Sequence, residues 1–367
     1  MTSAIPCSPE AFDARALQSI VQTDHPGVTV DEMTVLDHAI TSSDDHRVST
    51  ARRITVAARW SGPESHQLPE RMTVKVARPE FGDLPLYANE VNVYAHLLRE
   101  LDIATPHSYG GRHDVASGTF GLAMEDVRLS SARFRDVTQH LSIDETRALL
   151  RTLASVHAHY WDTARFGEDL VWLHPHTSGP LFELFSGSGV YSALVEHEVS
   201  SVQFKRELTL AIDESPSSLR SKVAVVQQHQ ATLSTTVLHG DAHIGNTYST
   251  PTQPGAFLDW QLTARGYCMH DVSYLVTTGL TVAQRREHEE SLITFYRDVL
   301  CDLGVPSPPT FDELWLEHRR AQVWGMYVGW LGCPVDNYGW DITVNNHIRL
   351  STAYRDLDTA AAIDALR

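Results

Sequence analysis

Two short apolar runs, TTVLH (235–239) and GAFLDW (255–260), bracket the stretch VLHGDAHIGNTY (237–248), which packs two histidines, an aspartate and an asparagine into the eight positions 239–246. β-prone residues on both sides of a glycine-containing turn predict a small hairpin with a polar mouth. That arrangement presents the polar side chains at a strand end, which constrains the surrounding fold more than any other segment of the chain.

Three accounts of the stretch compete. An alternating His239-x-Asp241-x-His243 puts three potential metal ligands on one face if the backbone is extended, and a catalytic zinc needs three protein ligands. A polar turn with histidines hydrogen-bonded to backbone is the plainer account. The third is a phosphoryl-transfer loop, in which an aspartate follows a histidine by two positions and an asparagine follows the aspartate by five. His239, Asp241 and Asn246 keep those offsets. The same chemistry asks for a second carboxylate at the end of a downstream strand, and Asp259 closes AFLD. It also asks for a lysine on an early strand and a glutamate on the next helix. Lys75 in MTVKVA and Glu90 in LPLYANEVNVYAHLLREL meet both requirements. Five residue types in the required order favour the third account.

The rest of the chain supports that placement. RRITVAARW (52–60) and ERMTVKVARP (70–79) read as strands separated by turn residues. In 84–101, Tyr87, Val91, Tyr94, Leu98 and Leu101 recur at helical spacing. TFGLAMEDV (119–127) reads as a closing strand. Beyond residue 128 the pattern turns helical, opening with Ser142 and Glu145 three apart, a capping-box signature. Residues 176–190 and 213–221 read as Gly/Ser/Pro-rich connectors, and helices resume from about 281. The fold class is α+β, a small β-rich part followed by a larger helical one.

Composition excludes other classes. A formal net charge of −17 repels nucleic-acid backbones and anionic membranes. The four cysteines are scattered without a C-x-x-C pair, which fits a reducing, cytoplasmic setting. The start lacks the basic and apolar regions of a signal peptide, and no run approaches the 18 apolar residues of a membrane span.

HGDAHIGN followed by LDWQ resembles the aminoglycoside phosphotransferase/choline kinase-like superfamily, small-molecule kinases with a protein-kinase-like fold. With MEDV (124–127) upstream, the motif style resembles the ecdysteroid-kinase-like branch most. The matching residues run from 75 to 271. The resemblance implies a bilobal molecule: a nucleotide-binding lobe (1–124), a hinge (125–127) and a catalytic, acceptor-binding lobe (128–367). It implies an ATP-dependent transfer of the γ-phosphoryl group to a hydroxyl of a small molecule, with GTP not excluded as donor and the oligomeric state left open. Asp241 takes the acceptor proton, and Asn246 and Asp259 supply oxygens to Mg²⁺. Lys75, held by Glu90, contacts the nucleotide phosphates, while backbone groups of Glu125 and Val127 pair with adenine. Glu125 and Asp126 are also readable as a simple charged turn, the weaker of the two readings.

His239 braces the loop, and His243 either braces it or meets the phosphates. Asp271 in MHDVSYL resembles the aspartate that anchors the catalytic loop, although a helix cap accounts for it as well. Two departures stand out. AITSSDDHRVST (39–50) has no glycine where a phosphate cradle is expected, leaving Ser42, Ser43 and backbone N–H groups for the task. Asp259-Trp260-Gln261 lacks the glycine of a protein-kinase activation switch, which points to a small-molecule acceptor. Trp324, Tyr327, Trp330 and Trp340 form an aromatic stripe that is either core, the usual outcome, or an acceptor pocket for a ring-bearing body. Two other functions remain as alternatives: a nucleotide-binding pseudo-kinase module without transfer, and a metal-dependent hydrolase built on His239, Asp241 and His243.

Overall fold

The computed structural model describes residues 4–37 and 49–366. Ser42 and Ser43 lie outside the described residues. The chain divides into two compact units, Met1–Arg133 and Phe134–Arg367.

The first unit is a five-stranded antiparallel sheet of β1 (Thr29–Asp37), β2 (Ala51–Ser61), β3 (Arg71–Ala77), β4 (Ser108–Asp114) and β5 (Thr119–Glu125), in the order β1-β2-β3-β5-β4. β2 and β3 fall on the β-branched runs, and β5 falls on the expected closing strand. Met72, Val74 and Val76 of β3 point into the core with Ile54 and Val56 of β2. Period two therefore turns Lys75 to the opposite face of the sheet.

Three elements had no clear signal. β1 carries charges along its length, as edge strands do, and β4 is interrupted by glycine. Helix α1 (Ala14–Val21) is only eight residues long. It starts at Asp13, whose side chain accepts from the Ala16 N–H, and it buries Leu17, Ile20 and Val21. Its close approach explains a glycine in β4: a Cβ at Gly110, where φ is +144°, would lie 2.5 Å from the Ile20 carbonyl oxygen. The helix expected over 84–101 is shorter, α2 spanning Pro85–His96 before a 3₁₀ turn at Leu98–Glu100. After β5, Asp126 (3% exposed) accepts from Nε of Arg71 at 2.6 Å and of Arg128 at 2.7 Å, and from the Arg128 backbone N–H. The charged turn is thus a closed ion-pair knot.

The second unit is mostly helical. α3 (Ile143–His159) opens with the expected reciprocal cap between Ser142 and Glu145. Residues 213–221 are not simply a connector, because a helix begins at Pro216 and runs to Gln230, capped by Ser215. Serine followed by proline is a helix start as well as a breaker. The same ambiguity hides a short helix at Pro180–Phe185. The hairpin expected between the two apolar runs does not form. Thr236–Leu238 pairs with Ala264–Gly266, and Thr247–Ser249 pairs with Ala256–Phe257. The loop residues turn the chain away before the second run can pair with the first.

The aromatic stripe divides. Trp324, Tyr327 and Trp330 belong to one buried cluster with Val195, Leu219 and Leu350, whereas Trp340 is 59% exposed. Between helices Phe311–Trp324 and Val335–Asp356 the chain makes a π-helical turn, Gly325–Leu331. Its end is closed by a buried lysine. Lys205 donates to Glu198 Oε2 at 2.9 Å and to the carbonyls of Leu331 at 3.2 Å and Cys333 at 2.7 Å. Replacing Lys205 by Met strands the Glu198 carboxylate and two carbonyls. We expect a loss of about 3–5 kcal/mol, the usual cost of breaking a buried pair, read as a lower urea midpoint at unchanged slope.

Candidate active site

In the first unit, β3 and α2 bring together the two residues expected to pair. Lys75 Nζ donates to Glu90 Oε1 at 2.9 Å and Oε2 at 2.7 Å, with both residues at most 2% exposed. A fork of this kind fixes the ammonium position, because removing either partner leaves a buried charge unmatched. Glu125 ends β5, where its backbone N–H donates to the His107 carbonyl, and Val127 opens the following 3₁₀ turn.

In the second unit, the loop is built around one carboxylate. Asp271, in the first turn of helix Met269–Gly279, is fully buried. Its Oδ2 accepts from the His239 backbone N–H at 2.6 Å, and its Oδ1 from that of Gly240 at 2.9 Å. His157 Nε2, from the end of α3, donates to Oδ2 at 3.2 Å, and the other ring nitrogen of His157 meets the Tyr296 hydroxyl at 2.7 Å. Burial alone would raise the Asp271 pKa. The hydrogen bond from His157, together with the nearby rings of His157, His270 and His239, outweighs it and holds the carboxyl at about 2, below the usual 3.8. Asp271 is therefore the anchor of the loop, not a helix cap. His157 gave no sequence signal beyond interrupting an apolar helical stripe, and His270, which donates to the Gly240 carbonyl at 3.1 Å, was likewise missed.

Gly240 is required by this anchoring. At φ +82° it occupies the left-handed region, and a Cβ there would sit 1.9 Å from the Leu262 carbonyl oxygen. His239 is locked at both ends. Its Nδ1 accepts from the Asp241 N–H at 3.2 Å, so the proton resides on Nε2, which donates to the Leu258 carbonyl at 3.1 Å. Both ring nitrogens are thus spent on backbone, and neither can ligate a metal. The hydrolase alternative loses its first ligand, and among the described residues no group of three His, Cys, Asp or Glu is placed to hold a metal ion.

Asn246 closes the loop on Asp241. Its Nδ2 donates to the Asp241 carbonyl and to Oδ2, each at 3.0 Å, which turns its Oδ1 the other way. His243 presents Nε2 at 3.6 Å from the same Oδ2, while its Nδ1 accepts from the Gly245 N–H at 2.9 Å. Burial lowers the His243 pKa, but the Asp241 carboxylate more than compensates and the net shift is upward. Asp259 follows directly: the Leu258 N–H donates to the Asn246 carbonyl at 3.0 Å, and Asp259 itself is held at φ +65°. A non-glycine residue in that conformation carries strain that the surrounding structure must sustain, a condition that recurs at functional sites. Hence His239, Asp241, His243, Asn246, Asp259 and Asp271 belong to one assembly within the second unit.

The anchor has a pH signature. A carboxyl held below its unfolded value stabilises the fold above the unfolded pKa, and that contribution is lost as pH falls through the folded one. For Asp271 the window runs from about pH 4 down to about 2, with about 2 kcal/mol at stake at 1.36 kcal/mol per unit. Stability measured against pH should lose this component in Asp271→Asn, and a wild-type profile superimposable on the variant's over that range would refute the anchor.

The chain is similar to several known proteins. Methylthioribose kinase from Bacillus cereus is 30% identical over 146 residues, 36% of this chain, and the match spans about a third of the relative's own length (37%). An ethanolamine kinase from Plasmodium vivax shares the fold at a TM-score of 0.50 and 12% identity, covering 95% of this chain and 86% of its own. The choline kinase LicA from Streptococcus pneumoniae aligns at a TM-score of 0.48 and 15% identity, over 93% of this chain and 98% of its own. The family model for ecdysteroid kinase-like proteins matches residues 45–304, all of β2 to β5 and the whole anchored loop with Asp241, Asn246 and Asp259, and the chain belongs to that family.

Proposed function

We propose that the protein is an ATP-dependent kinase that transfers the γ-phosphoryl group to a hydroxyl of a small molecule. The observation that carries this reading is the state of the Asp241 carboxylate. Its Oδ2 is fixed by Asn246 and faced by His243, while no described residue donates to its Oδ1. A carboxylate clamped on one oxygen and open on the other suits a group that accepts a hydrogen bond from an incoming hydroxyl and then its proton.

The chain's residues divide the remaining work. Asp241 orients the acceptor hydroxyl and takes its proton as the new phosphate ester forms. Lys75, its ammonium fixed by the Glu90 fork, contacts the nucleotide phosphates. Asn246 and Asp259 offer a carboxamide and a carboxylate oxygen, the hard ligands that Mg²⁺ prefers, and the commitment of Asn246 Nδ2 to Asp241 leaves its Oδ1 for that purpose. Mg²⁺ neutralises phosphate charge when bound. His239 and Asp271 hold the loop backbone without entering the chemistry. Glu125 and Val127 lend backbone groups to the base. Family membership supports a nucleotide donor and a small hydroxylated acceptor. Among the described residues no helix is long and apolar enough to cross a membrane.

The test is ATP consumption with Mg²⁺ over a panel of alcohols, choline, ethanolamine and methylthioribose among them. Asp241→Asn should reduce turnover by about 10² or more, the usual cost of losing a general base, with Mg-ATP binding by thermal shift unaltered. A variant that turns over like the wild type would remove Asp241 from the mechanism. Wild-type binding of Mg-ATP without turnover on any acceptor would favour a nucleotide-binding module instead.

A further inference from the structure

π-Helical turns are rare and recur at functional sites, and this one collects two tyrosines. A Cβ at Gly332 would lie 1.8 Å from the Tyr191 hydroxyl, and one at Gly329 would lie 2.4 Å from the Tyr274 hydroxyl. Both phenols therefore rest on bare backbone. The carbonyls of the turn are claimed by its neighbours: Tyr191 donates to Val328 O at 3.0 Å, while the Cys333 thiol and Asn346 Nδ2 each reach Gly329 O at 3.2 Å. Tyr274 is the exception. Only 7% of the residue is exposed, yet its hydroxyl makes no hydrogen bond with any described residue. The ring is enclosed while the hydroxyl keeps access to solvent, so the phenol can meet a ligand with its polar end.

Its position connects it with the proposed base. The Tyr274 ring meets the His243 ring edge-on at 5.8 Å, and His243 Nε2 lies 3.6 Å from Asp241 Oδ2. Burial first, and the Asp241 charge second, push the phenol pKa well up, so it stays a neutral donor. Carboxylates other than Asp241 do not figure among the groups that perturb it; the others are the Cys333 thiol and the Tyr338 phenol.

We propose that Tyr274 is an acceptor-binding residue. Its hydroxyl hydrogen-bonds a second oxygen or nitrogen of the acceptor, close to the hydroxyl that Asp241 deprotonates, and Gly329 keeps the space that the phenol needs. The substrate class is then an alcohol with a neighbouring polar atom, such as a diol, an amino alcohol or a hydroxy ketone. This rests on the reading of Asp241 as the base of a phosphotransferase.

The experiment compares alcohols in pairs that differ by one polar atom, propane-1,2-diol against propan-1-ol and a sugar against its deoxy analogue, in wild type, Tyr274→Phe and Gly329→Ala. The wild type should favour the two-oxygen member by about tenfold in kcat/KM, one hydrogen bond's worth at 1.4 kcal/mol per decade. Tyr274→Phe should erase that preference, leaving the single-oxygen partner and the KM for ATP unchanged. Gly329→Ala, which displaces the phenol without deleting it, should do the same in part. An undiminished preference in a folded Tyr274→Phe protein, or no preference in the wild type, overturns the assignment while the transferase reading stands. Mg-ATP binding with no consumption on any alcohol refutes that reading itself, and the role of Tyr274 with it.

Discussion

A single buried carboxylate accepting two consecutive backbone N–H groups organises the loop at the centre of the second unit. Asp271 fixes the peptide planes of His239 and Gly240, and those planes determine where Asp241 leaves the backbone. Everything polar in the loop follows from that choice. The glycine must take a left-handed conformation, the histidine must direct one ring nitrogen back to its own loop and the other across to Leu258, and the asparagine arrives at the right height to close on Asp241. The arrangement is over-determined, which is how a strained residue such as Asp259 can be sustained beside it.

The first unit solves a simpler problem by strand alternation. A run of apolar residues in β3 faces the core only if the intervening lysine faces away, and α2 covers that second face with a glutamate among its buried residues. The ion pair is thus a by-product of sheet periodicity meeting a helix of suitable register. α1 seals the other face through close contact with the glycines of β4 and β5.

Much of this was legible in the residues themselves. The order Lys75, Glu90, Asp241, Asn246, Asp259 specified which side chains would group within each unit, and the Ser142–Glu145 cap located α3. What escaped was pairing. Nothing local in TTVLH says that its partner is Ala264–Gly266 and not GAFLDW, because strand partners are chosen by how the intervening loop turns, and that depends on an aspartate 31 residues beyond Gly240. His157 was invisible for the same reason, since its partner lies 114 residues away. The start at Pro216 was hidden by a residue that both ends and begins helices. The aromatic stripe showed its spacing but not that a π-turn would bury its first three members and expose the fourth.

The neutral imidazoles packed round the loop carry a further consequence. Burial depresses the pKa of His239, of His270 and, more strongly, of His176. An unfolded chain takes up protons on these rings as the medium drops below their ordinary value of 6.5, whereas the folded one resists. Mild acidification therefore draws on the stability of this half of the molecule through these histidines. A loop braced by uncharged rings loses part of its support as the medium turns acidic.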